Sequence, residues 1–455
     1  MNQSWKNVPC PGCACVCDDI TLEQRDDGTI DFQPDCHMGR DWFERHSKPV
    51  ETCVSIENRD ATLDAAIDRA ASILGAADYP LIYGLSRSAT PGQRAAVALG
   101  EQLGGVVDTT ASLCHGPSIM ALQEVGEVTS TLGEVANRAD LVIFWGCNPS
   151  ASHPRHAERY SVFPEGRFVR GRADRKVVMV GDQDLVHDWR LDPHGSQPDL
   201  VIPIAPNGDF DAVAQLRTML HTGDTSDAAP ELRQLMELMR NCRYGVVFFG
   251  LGLAKTSMWT SDVGSNTGHI DVAGLLQLVR DMNAVTRFTA RRMRLQGDVS
   301  GADSVMCWQT GYPFGVDFSR GYPRYNPGEY TANELLERGD VDACVLVGAE
   351  TVKFFSEPAR QRLQEIPTVL IDYPNTSVDL SPTVSITTAV YGIHVPGTIY
   401  RMDNVPMSTK SLWPSDLPTD EDVLLRIAAK CVPEYASPAL AVREGENGHA
   451  AHADV

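Results

Sequence analysis

The chain has 455 residues, of which 43% are hydrophobic, and this suits a globular protein of about two or three domains. Its 60 acidic residues outnumber its 39 basic residues, and the net charge of −21 argues against nucleic acid and membrane surfaces as partners. The longest apolar run, Tyr244 to Ala254, is shorter than the roughly 18 residues of a membrane span, and Met1 to Lys6 lack a signal peptide's apolar core. We therefore expect a cytoplasmic protein.

The first feature along the chain is a group of cysteines. Five of the twelve lie within the first 36 residues. Cys10, Cys13 and Cys17 are separated by two and three residues, and Cys36 follows 19 positions later. Four thiolates can hold an iron–sulfur cube, although zinc could use the same sulfurs. In a reducing compartment this clustering indicates metal ligation, with Cys15 as a bystander; the alternative is a set of structural or spare thiols.

After this cysteine-rich head, residues 1–36, helical patterns alternate with short apolar runs. Apolar residues at helical spacing predict helices at 63–74, 93–103, 210–220 and 272–282, the second of them ending at Gly104-Gly105. Continuous apolar runs predict buried strands at 81–83, 141–145, 176–180, 200–204, 244–249, 341–347, 368–371 and 383–387. Alternation of strand and helix on this scale predicts an α/β fold with mostly parallel sheets.

Two of these strands resemble each other. The sequence ADLVIFWG at 139–146 is similar to VDACVLVG at 341–348, and each is followed by a second strand that ends in an acidic residue, Asp182 or Asp372. This repeat favours two Rossmann-like units whose strand-end loops face a shared crevice, although any two buried parallel strands look alike. The segment from Ala436 onward lacks apolar periodicity and is predicted to be disordered.

Several long motifs carry a family resemblance. They are TTASLCHGPS at 109–118, WGCNP at 145–149 with HPRH at 153–156, CWQTGYP at 307–313, PRYNPGE at 323–329 and GTIYRMDNVP at 397–406. Together with the cysteine head, these motifs resemble the B subunit of formylmethanofuran dehydrogenase and its relatives in the formyltransferase/hydrolase complex of bacterial one-carbon metabolism. The resemblance runs from about Trp5 to about Ala429.

The resemblance implies a molybdopterin-oxidoreductase-like fold without the usual C-terminal barrel, which a separate small subunit supplies in the family. It implies a cysteine-rich domain at 1–60, an α/β unit made of 61–135 and 245–330, Rossmann-like units at 136–244 and 331–435, and a tail at 436–455. The α/β unit would carry Cys114 and Arg294.

The implied activity is the interconversion of carbon dioxide and formate, coupled to formyl-methanofuran. The implied cofactors are a 4Fe–4S cluster on Cys10, Cys13, Cys17 and Cys36, and molybdenum or tungsten with bis-pterin guanine dinucleotide. The implied partners are a zinc-dependent amidohydrolase subunit, the barrel-type small subunit, further subunits of a hetero-oligomer and a methanofuran-type carrier.

Matched residue by residue, Cys114 resembles the metal's thiolate ligand, His115 the proton-handling residue and Arg294 the arginine that holds the carboxylate. Thiolate suits a soft metal, imidazole exchanges protons near neutral pH, and guanidinium grips a carboxylate at two points. Taken singly, each residue favours a structural interpretation: a buried thiol, a loop hydrogen-bonder or an ion pair. The contiguous motif around Cys114 and His115 reverses this preference for these two residues. The resemblance also places cofactor contacts at Gly146, Asn148, Pro149, Gly397, Thr398 and Arg401. We expect Cys114, His115 and Arg294 to share one cavity.

The sequence departs from the family pattern after the strands. His37 follows Cys36 where the family usually has Lys or Arg. The loops expected to receive the dinucleotides carry acids instead of bases: Asp182 and Asp184, Asp372, and Glu350. An unpaired carboxylate beside a phosphate costs about 1 kcal/mol or more in a partly shielded site. The alternative hypothesis is therefore a cofactor-free structural subunit of a formyltransferase/hydrolase complex. A stand-alone formate dehydrogenase is disfavoured by the missing barrel.

Overall fold

The computed structural model of the chain describes residues 3–48, 53–182, 189–254, 268–295 and 297–431. The strands of these ranges, in chain order, are β1 (Gln3–Val8), β2 (Ile20–Gln24), β3 (Ile30–Gln33), β4 (Val54–Ile56), β5 (Arg59–Asp60), β6 (Pro80–Gly84), β7 (Val106–Thr109), β8 (Leu141–Trp145), β9 (Lys176–Asp182), β10 (Leu200–Ile204), β11 (Tyr244–Phe249), β12 (Arg287–Arg292), β13 (Val316–Asp317), β14 (Arg324–Tyr325), β15 (Ala343–Val347), β16 (Thr368–Asp372), β17 (Val384–Thr387), β18 (Thr398–Tyr400) and β19 (Pro406–Ser408). The helices are α1 (His37–His46), α2 (Leu63–Ala76), α3 (Thr90–Leu103), α4 (Gly116–Val125), α5 (Leu132–Arg138), α6 (Pro149–Ser152), α7 (Asp209–Thr222), α8 (Pro230–Asn241), α9 (Leu251–Ala254), α10 (Gly268–Met282), α11 (Val299–Thr310), α12 (Ala332–Arg338), α13 (Glu357–Glu365) and α14 (Asp420–Cys431).

Two large sheets with helices packed on them make up most of the described chain. One has five parallel strands in the order β10-β9-β8-β11-β12. The other is a mixed sheet of nine strands in the order β14-β13-β7-β6-β15-β16-β17-β4-β5, in which the strands from β7 to β17 are parallel and the two strands at each edge are added antiparallel. Every residue of β8 and β15 is buried, as in parallel strands covered on both faces. The predicted α/β fold with parallel sheets is therefore confirmed. None of the described helices has the length and apolarity to cross a bilayer.

The predicted resemblance between two strands corresponds to equivalent places in the two sheets. β8 has β9 and β10 on one side and β11 and β12 on the other; β15 has β16 and β17 on one side and β6 and β7 on the other. All of these pairings are parallel. Gly146 and Gly348 follow the two central strands at φ 58° and 79°, in the left-handed region that favours glycine. Equivalent loops therefore leave the same end of each sheet.

The strands are grouped differently from the division that the resemblance implied. That division joined 245–330 to 61–135, but β11 and β12 hydrogen-bond in the sheet of β8, whereas β6 and β7 lie in the sheet of β15. β8 is a central strand, with β9 along one edge and β11 along the other. Every residue of β8 and β11 is buried, so both strands belong to the interior of this sheet. The domain boundaries themselves stay a prediction, and the tail at 436–455 lies outside the described residues.

The cysteine-rich head is a small antiparallel sheet, β1-β2-β3, followed by α1. Phe32 of β3 and Phe43 of α1 are buried with ring centroids 5.8 Å apart. Their apolar cluster continues into Val142 and Phe144 on one face of the five-stranded sheet. The head is thus packed on this sheet through a shared core.

A buried carboxyl group in β7 makes the fold sensitive to pH. Asp108 is fully buried and accepts hydrogen bonds from the backbone N–H groups of Gly315 (2.9 Å) and Ala332 (2.8 Å) and from the hydroxyl of Ser112 (2.7 Å). Burial raises the pKa of Asp108 from 3.8 to about 7. The folded chain therefore binds this proton more tightly than the unfolded chain does.

We expect the stability contributed by Asp108 to fall as the pH rises from about 4 to about 7 and then to level off. The Asn side chain does not titrate, so the stability of wild type relative to Asp108→Asn should drop by roughly 4 kcal/mol between pH 4 and pH 8. Urea unfolding of both proteins across this range measures the difference, with the exposed Asp211→Asn as control. A difference that stays constant with pH would contradict the prediction.

Candidate functional site

A cavity of about 850 Å³ opens where the carboxyl ends of the two parallel sheets face each other. Its size falls in the range of sites for small molecules and cofactors, roughly 300–1,000 Å³. Its walls are segments that follow β6, β7, β8, β12, β15 and β16, including residues of α6, α11 and α13, together with Met38 of α1. The lining residues include Ser86, Arg87, Thr110, Cys114, Ala151, Ser152, Leu295, Glu350, Lys353, Arg360 and Asp379. The predicted crevice between two units is therefore present.

Cys114 lies at the wall of this cavity. The chain leaves β7 in a tight turn, in which the N–H of Cys114 donates to the carbonyl oxygen of Ala111 at 3.0 Å, and α4 begins two residues later. Only 5% of Cys114 is exposed. Burial raises the pKa of the Cys114 thiol to about 12, although Arg294 opposes this shift. A positive metal ion in the cavity would favour the thiolate that this environment otherwise disfavours.

Arg294 follows β12 and is fixed by a buried ion pair. Its Nη1 donates to Oδ2 of Asp303 at 2.6 Å, and the hydroxyl of Thr109 donates to the other carboxylate oxygen at 3.1 Å. Arg294 also lies close enough to lower the pKa of both Cys114 and His115. Arg294 therefore lies near Cys114 and His115, but it does not line the cavity, so the expected sharing of one cavity by the three residues is not observed. Their chemical roles stay a prediction.

His115 is fully buried and does not line the cavity. Its Nε2 donates to the carbonyl oxygen of Met293 at 3.3 Å, and its Nδ1 lies 3.2 Å from the hydroxyl of Ser118. Burial and the neighbouring Arg294 lower the pKa of His115 well below its ordinary value. Both disfavour the charged imidazolium, and the hydrogen bond to Met293 opposes this shift. The predicted role in proton exchange stays a prediction. The bond to Met293 also fixes the backbone just before Arg294.

The cysteines of the head lie together in a tight loop. The N–H of Cys10 donates to the carbonyl oxygen of Cys17 at 2.8 Å, and Cys36 stands at the start of α1. Burial is the main reason that the pKa values of Cys10, Cys17 and Cys36 are raised, and neighbouring thiols add to each shift. Cys15 is closer to the set than expected, since a hydrogen bond between its thiol and that of Cys13 lowers the pKa of Cys13.

The thiols of Cys10, Cys13, Cys17 and Cys36 form a donor set that an iron–sulfur cluster can use. Among the described residues, no three side chains of His, Cys, Asp or Glu meet closely enough to hold one metal ion. Tetrahedral zinc requires its ligands about 2.0–2.3 Å from one point. A cube instead offers a separate iron to each thiolate, so its ligands need not converge on one point. Cys10, Cys13 and Cys17 are buried and Cys36 is partly exposed, so these four neighbouring thiols suit a cluster as ligands, and the cluster itself stays a prediction.

The acidic loops after β15 and β16 have a cation beside them, Arg87, contrary to expectation. Nη1 of Arg87 lies 3.2 Å from both carboxylate oxygens of Asp372, and its Nε lies 3.4 Å from Oε2 of Glu350. The hydroxyl of Ser86 also donates to Glu350. Arg87 follows β6, so the adjacent strand of the sheet supplies the charge that the loops after β15 and β16 lack. The expectation of unpaired carboxylates at Asp372 and Glu350 was wrong.

This ion triad, Arg87 with Glu350 and Asp372, separates two spaces. Arg87 and Glu350 line both the large cavity and a smaller one of about 160 Å³ beside α1. Burial raises the pKa of Glu350, while Arg87 opposes that shift. Of the first unit's acids, Asp182 ends β9 and has an interaction partner, and Asp184 lies outside the described residues.

The remaining predicted cofactor contacts lie outside the walls of both cavities. Gly146 and Pro149 lie in the loop after β8, where Asn148 caps α6. Nε of Arg401 donates to Asp403 at 2.6 Å. Gly397 and Thr398 lie at the start of β18, where the N–H of Gly397 donates to the Thr409 hydroxyl and the carbonyl of Thr398 accepts from Thr90. Their role as cofactor contacts stays a prediction.

Sequence reasoning missed two side chains that shape the site, Arg87 and Asp303. The signal for Arg87 was its place directly after a predicted buried strand, where parallel sheets present functional groups. Asp303 carried no signal of its own, since it faces Arg294 only through the packing of α11.

The fold and site define an α/β protein with a buried cysteine cluster and a thiol at the wall of a crevice between two related parallel sheets. The chain is 36% identical over 445 residues to the B subunit of the tungsten-containing formylmethanofuran dehydrogenase 2 of Methanocaldococcus jannaschii, covering 94% of this chain and 98% of that protein. The corresponding protein of Methanococcus maripaludis is 35% identical over 442 residues with the same coverage. The chain therefore belongs to the family of formylmethanofuran dehydrogenase B subunits.

A more distant relative is the B subunit of the formyltransferase/hydrolase complex Fhc of Methylorubrum extorquens, 24% identical over 292 residues, or 63% of this chain and 71% of that protein. The fold matches a chain of the crystal structure of FhcABCD from the same organism in complex with methylofuran. The TM-score is 0.67 at 23% identity, covering 85% of this chain and 100% of that chain. No protein-family model matches the sequence.

Proposed function

We propose that the chain is the redox subunit of a formylmethanofuran dehydrogenase-type complex and interconverts carbon dioxide and formate, coupled to formyl-methanofuran. The observation that carries this proposal is Cys114, whose thiol lies at the wall of the 850 Å³ cavity near the charge of Arg294. The two tungsten-containing relatives, aligned over nearly the whole chain, support it.

Cys114 would hold a molybdenum or tungsten ion that also carries bis-pterin guanine dinucleotide; when bound, this group supplies two-electron chemistry at the carbon of formate. Arg294 would orient the carboxylate of formate through N–H groups other than the one that binds Asp303. His115 would act as a positioning residue, because its Nε2 fixes the carbonyl of Met293, the neighbour of Arg294.

Three cations that could meet the dinucleotide phosphates lie in the cavity walls, and two of them are already paired with carboxylates: Arg87 with Glu350 and Asp372, and Arg360 with Glu357. Arg87, Lys353 and Arg360 all line the cavity. Lys353 and Arg360 belong to the segment after β15, the same segment that carries the acidic Glu350. The volume of about 850 Å³ supports occupation by a ligand of dinucleotide size.

Cys10, Cys13, Cys17 and Cys36 would hold the 4Fe–4S cluster that exchanges electrons with this site. Their loop touches the segment that carries Arg294, because the N–H of Ala14 donates to the carbonyl of Leu295 at 3.0 Å. Leu295 also lines the cavity. This contact supports a short route between cluster and cavity that stays within the protein interior.

The partners would be a zinc-dependent amidohydrolase subunit, a barrel-type small subunit and further subunits, which pass the formyl group to a methanofuran-type carrier in the cytoplasm. The solved complex of the relative, FhcABCD with methylofuran, supports a multi-subunit assembly and a carrier of this chemistry.

A second candidate function is a structural subunit without redox chemistry. One observation favours it: Arg87, the cation nearest to the second unit's strand ends, is bound by Glu350 and Asp372. A guanidinium held by two carboxylates offers less positive potential to a pyrophosphate. In this case the complex would transfer and hydrolyse formyl groups only.

Anaerobic purification of the complex through this chain, with measurement of tungsten, molybdenum and iron, tests the proposal. We expect close to one equivalent of tungsten or molybdenum and about four irons for each cube. Cys13→Ser should lose the iron, whereas Cys15→Ser should retain it. Less than about a tenth of an equivalent of either metal, with formyl transfer intact, would favour the structural subunit instead.

A further inference from the structure

A short segment between β8 and β9 makes several hydrogen bonds to the cysteine loop, residues 10–19. We name residues 155–160 the clamp segment; within it begins a π-helical turn, Ala157–Ser161, a rare geometry that is frequent at functional sites. Arg155 is its most buried charge, with 3% of its side chain exposed. Its Nη1 and Nη2 each donate to one carboxylate oxygen of Asp19 at 2.8 Å. Asp19 comes two residues after Cys17, so this two-point contact fixes the end of the loop.

Two further side chains of the clamp segment reach the same loop. Nη2 of Arg159 donates to Asp18 at 2.7 Å, and the Tyr160 hydroxyl donates to the carbonyl oxygen of Cys15 at 3.3 Å. Three side chains of the clamp segment thus hold the chain at three points, Cys15, Asp18 and Asp19. A loop that must present thiolates in a fixed geometry requires such external support.

The clamp segment also places positive charge beside the sulfurs. Arg155 pairs with Asp19, and Arg159 pairs with Asp18 and Asp19, so both guanidinium groups lie against the residues that directly follow Cys17. The three carboxylates that pair with the two arginines, Asp18, Asp19 and Glu158, are 40–53% exposed and screened by water, whereas the side chains of Arg155 and Arg159 are only 3% and 18% exposed. Loss of either guanidinium therefore removes a poorly screened positive charge from beside the loop.

We propose that Arg155 is a positioning residue for the cluster-binding loop and that Arg155 and Arg159 together stabilise the reduced, more negative state of the cluster. The charge half of this inference rests on the proposed function, because it needs a bound cluster. Net charge and hydrogen bonding around the sulfurs are among the factors that set such potentials. Removal of either cation is thus expected to lower the reduction potential.

The test uses the whole complex, purified anaerobically, with Arg155→Gln, Arg155→Lys and Arg159→Gln. Arg170→Gln is the matched control, because it removes an arginine from the exposed pair with Asp174. Three quantities are measured: iron per chain, the midpoint potential from EPR-monitored titration, and the rate of iodoacetamide labelling at each loop cysteine, resolved by mass spectrometry.

We expect Arg155→Gln to raise the labelling of Cys17 about tenfold or more and to reduce iron to less than about half. Arg159→Gln should keep its iron and show a lower midpoint potential. Arg155→Lys should keep the potential nearer to that of wild type, yet still label faster, because lysine lacks the two-point fork.

Wild-type labelling rates in Arg155→Gln would overturn the positioning role. Unchanged potentials in both the Arg155→Gln and Arg159→Gln proteins, with iron present, would overturn the charge role and leave the proposed function intact. Wild-type complex without iron would overturn the cluster and the charge role together, and the labelling rates would still decide the positioning role.

Discussion

Cys114→Ser is expected to reduce formate oxidation by the purified complex more than about a hundredfold, because residues that only support a metal ligand already contribute about 10–100-fold. Serine is nearly isosteric, so the buried turn after β7 should persist. The hydroxyl is a poor ligand for a soft metal, and tungsten or molybdenum content should fall in parallel with the activity. Formate-dependent reduction of a dye and elemental analysis of the same sample measure both quantities.

Cys307→Ser is the matched control for this prediction, because Cys307 is an exposed cysteine. It should leave activity and metal content unchanged. Formyl transfer by the Cys114→Ser complex reports on the assembly and should be retained. Full formate oxidation in Cys114→Ser would remove Cys114 from the proposed site.

Asp303→Asn is expected to destabilise the chain by about 3–5 kcal/mol, since it leaves the buried guanidinium of Arg294 without its counter-charge. The side chains of Arg294 and Asp303 are only 6% and 10% exposed, so water cannot replace the lost partner. The urea midpoint of the isolated complex, followed by a signal from this chain, measures the loss.

The double variant Arg294→Gln/Asp303→Asn removes both charges and should recover more than half of that loss. Asp340→Asn, which removes a carboxylate from the exposed pair with Arg338, is the control and should change stability by less than about 1 kcal/mol. A loss below about 1 kcal/mol in Asp303→Asn would mean that the Arg294–Asp303 pair does not hold the site.

The strands were predictable because each one carries its own signal. Segments such as β8 and β11 are buried along their whole length, so they are continuous apolar runs in the sequence. Their grouping was not predictable from those runs, because any buried strand can cover the edge of any other. β8 pairs with β11 and not with β6 because of packing between segments that are far apart in the chain. The amino-acid composition of a strand carries no information about that packing.

The same distinction applies to the site. Cys114 was found because a long contiguous motif surrounds it, whereas Arg87 meets Asp372 across 285 positions of sequence. From the sequence alone, the acidic loop that begins at Asp372 was therefore expected to repel phosphate, although the fold places Arg87 beside it as a counter-ion. His115 shows the converse: its place beside Cys114 indicated chemistry, and only the structure shows that its ring is buried and donates to the backbone carbonyl of Met293.

The nine-stranded sheet has consequences for how the protein behaves when crowded. In the described part of the chain, both of its edges are two-residue strands, Arg59–Asp60 and Arg324–Tyr325, and three of these four residues are charged. Long, uncharged edges recruit strands from other molecules and lead to aggregation. Edge strands of two residues have few backbone N–H and C=O groups for another strand to pair with. Pairing would also remove water from their charged side chains, which costs free energy. The wide sheet is thereby protected from open-ended growth, and the broad faces of the molecule, rather than its strand edges, are left for orderly assembly with other subunits.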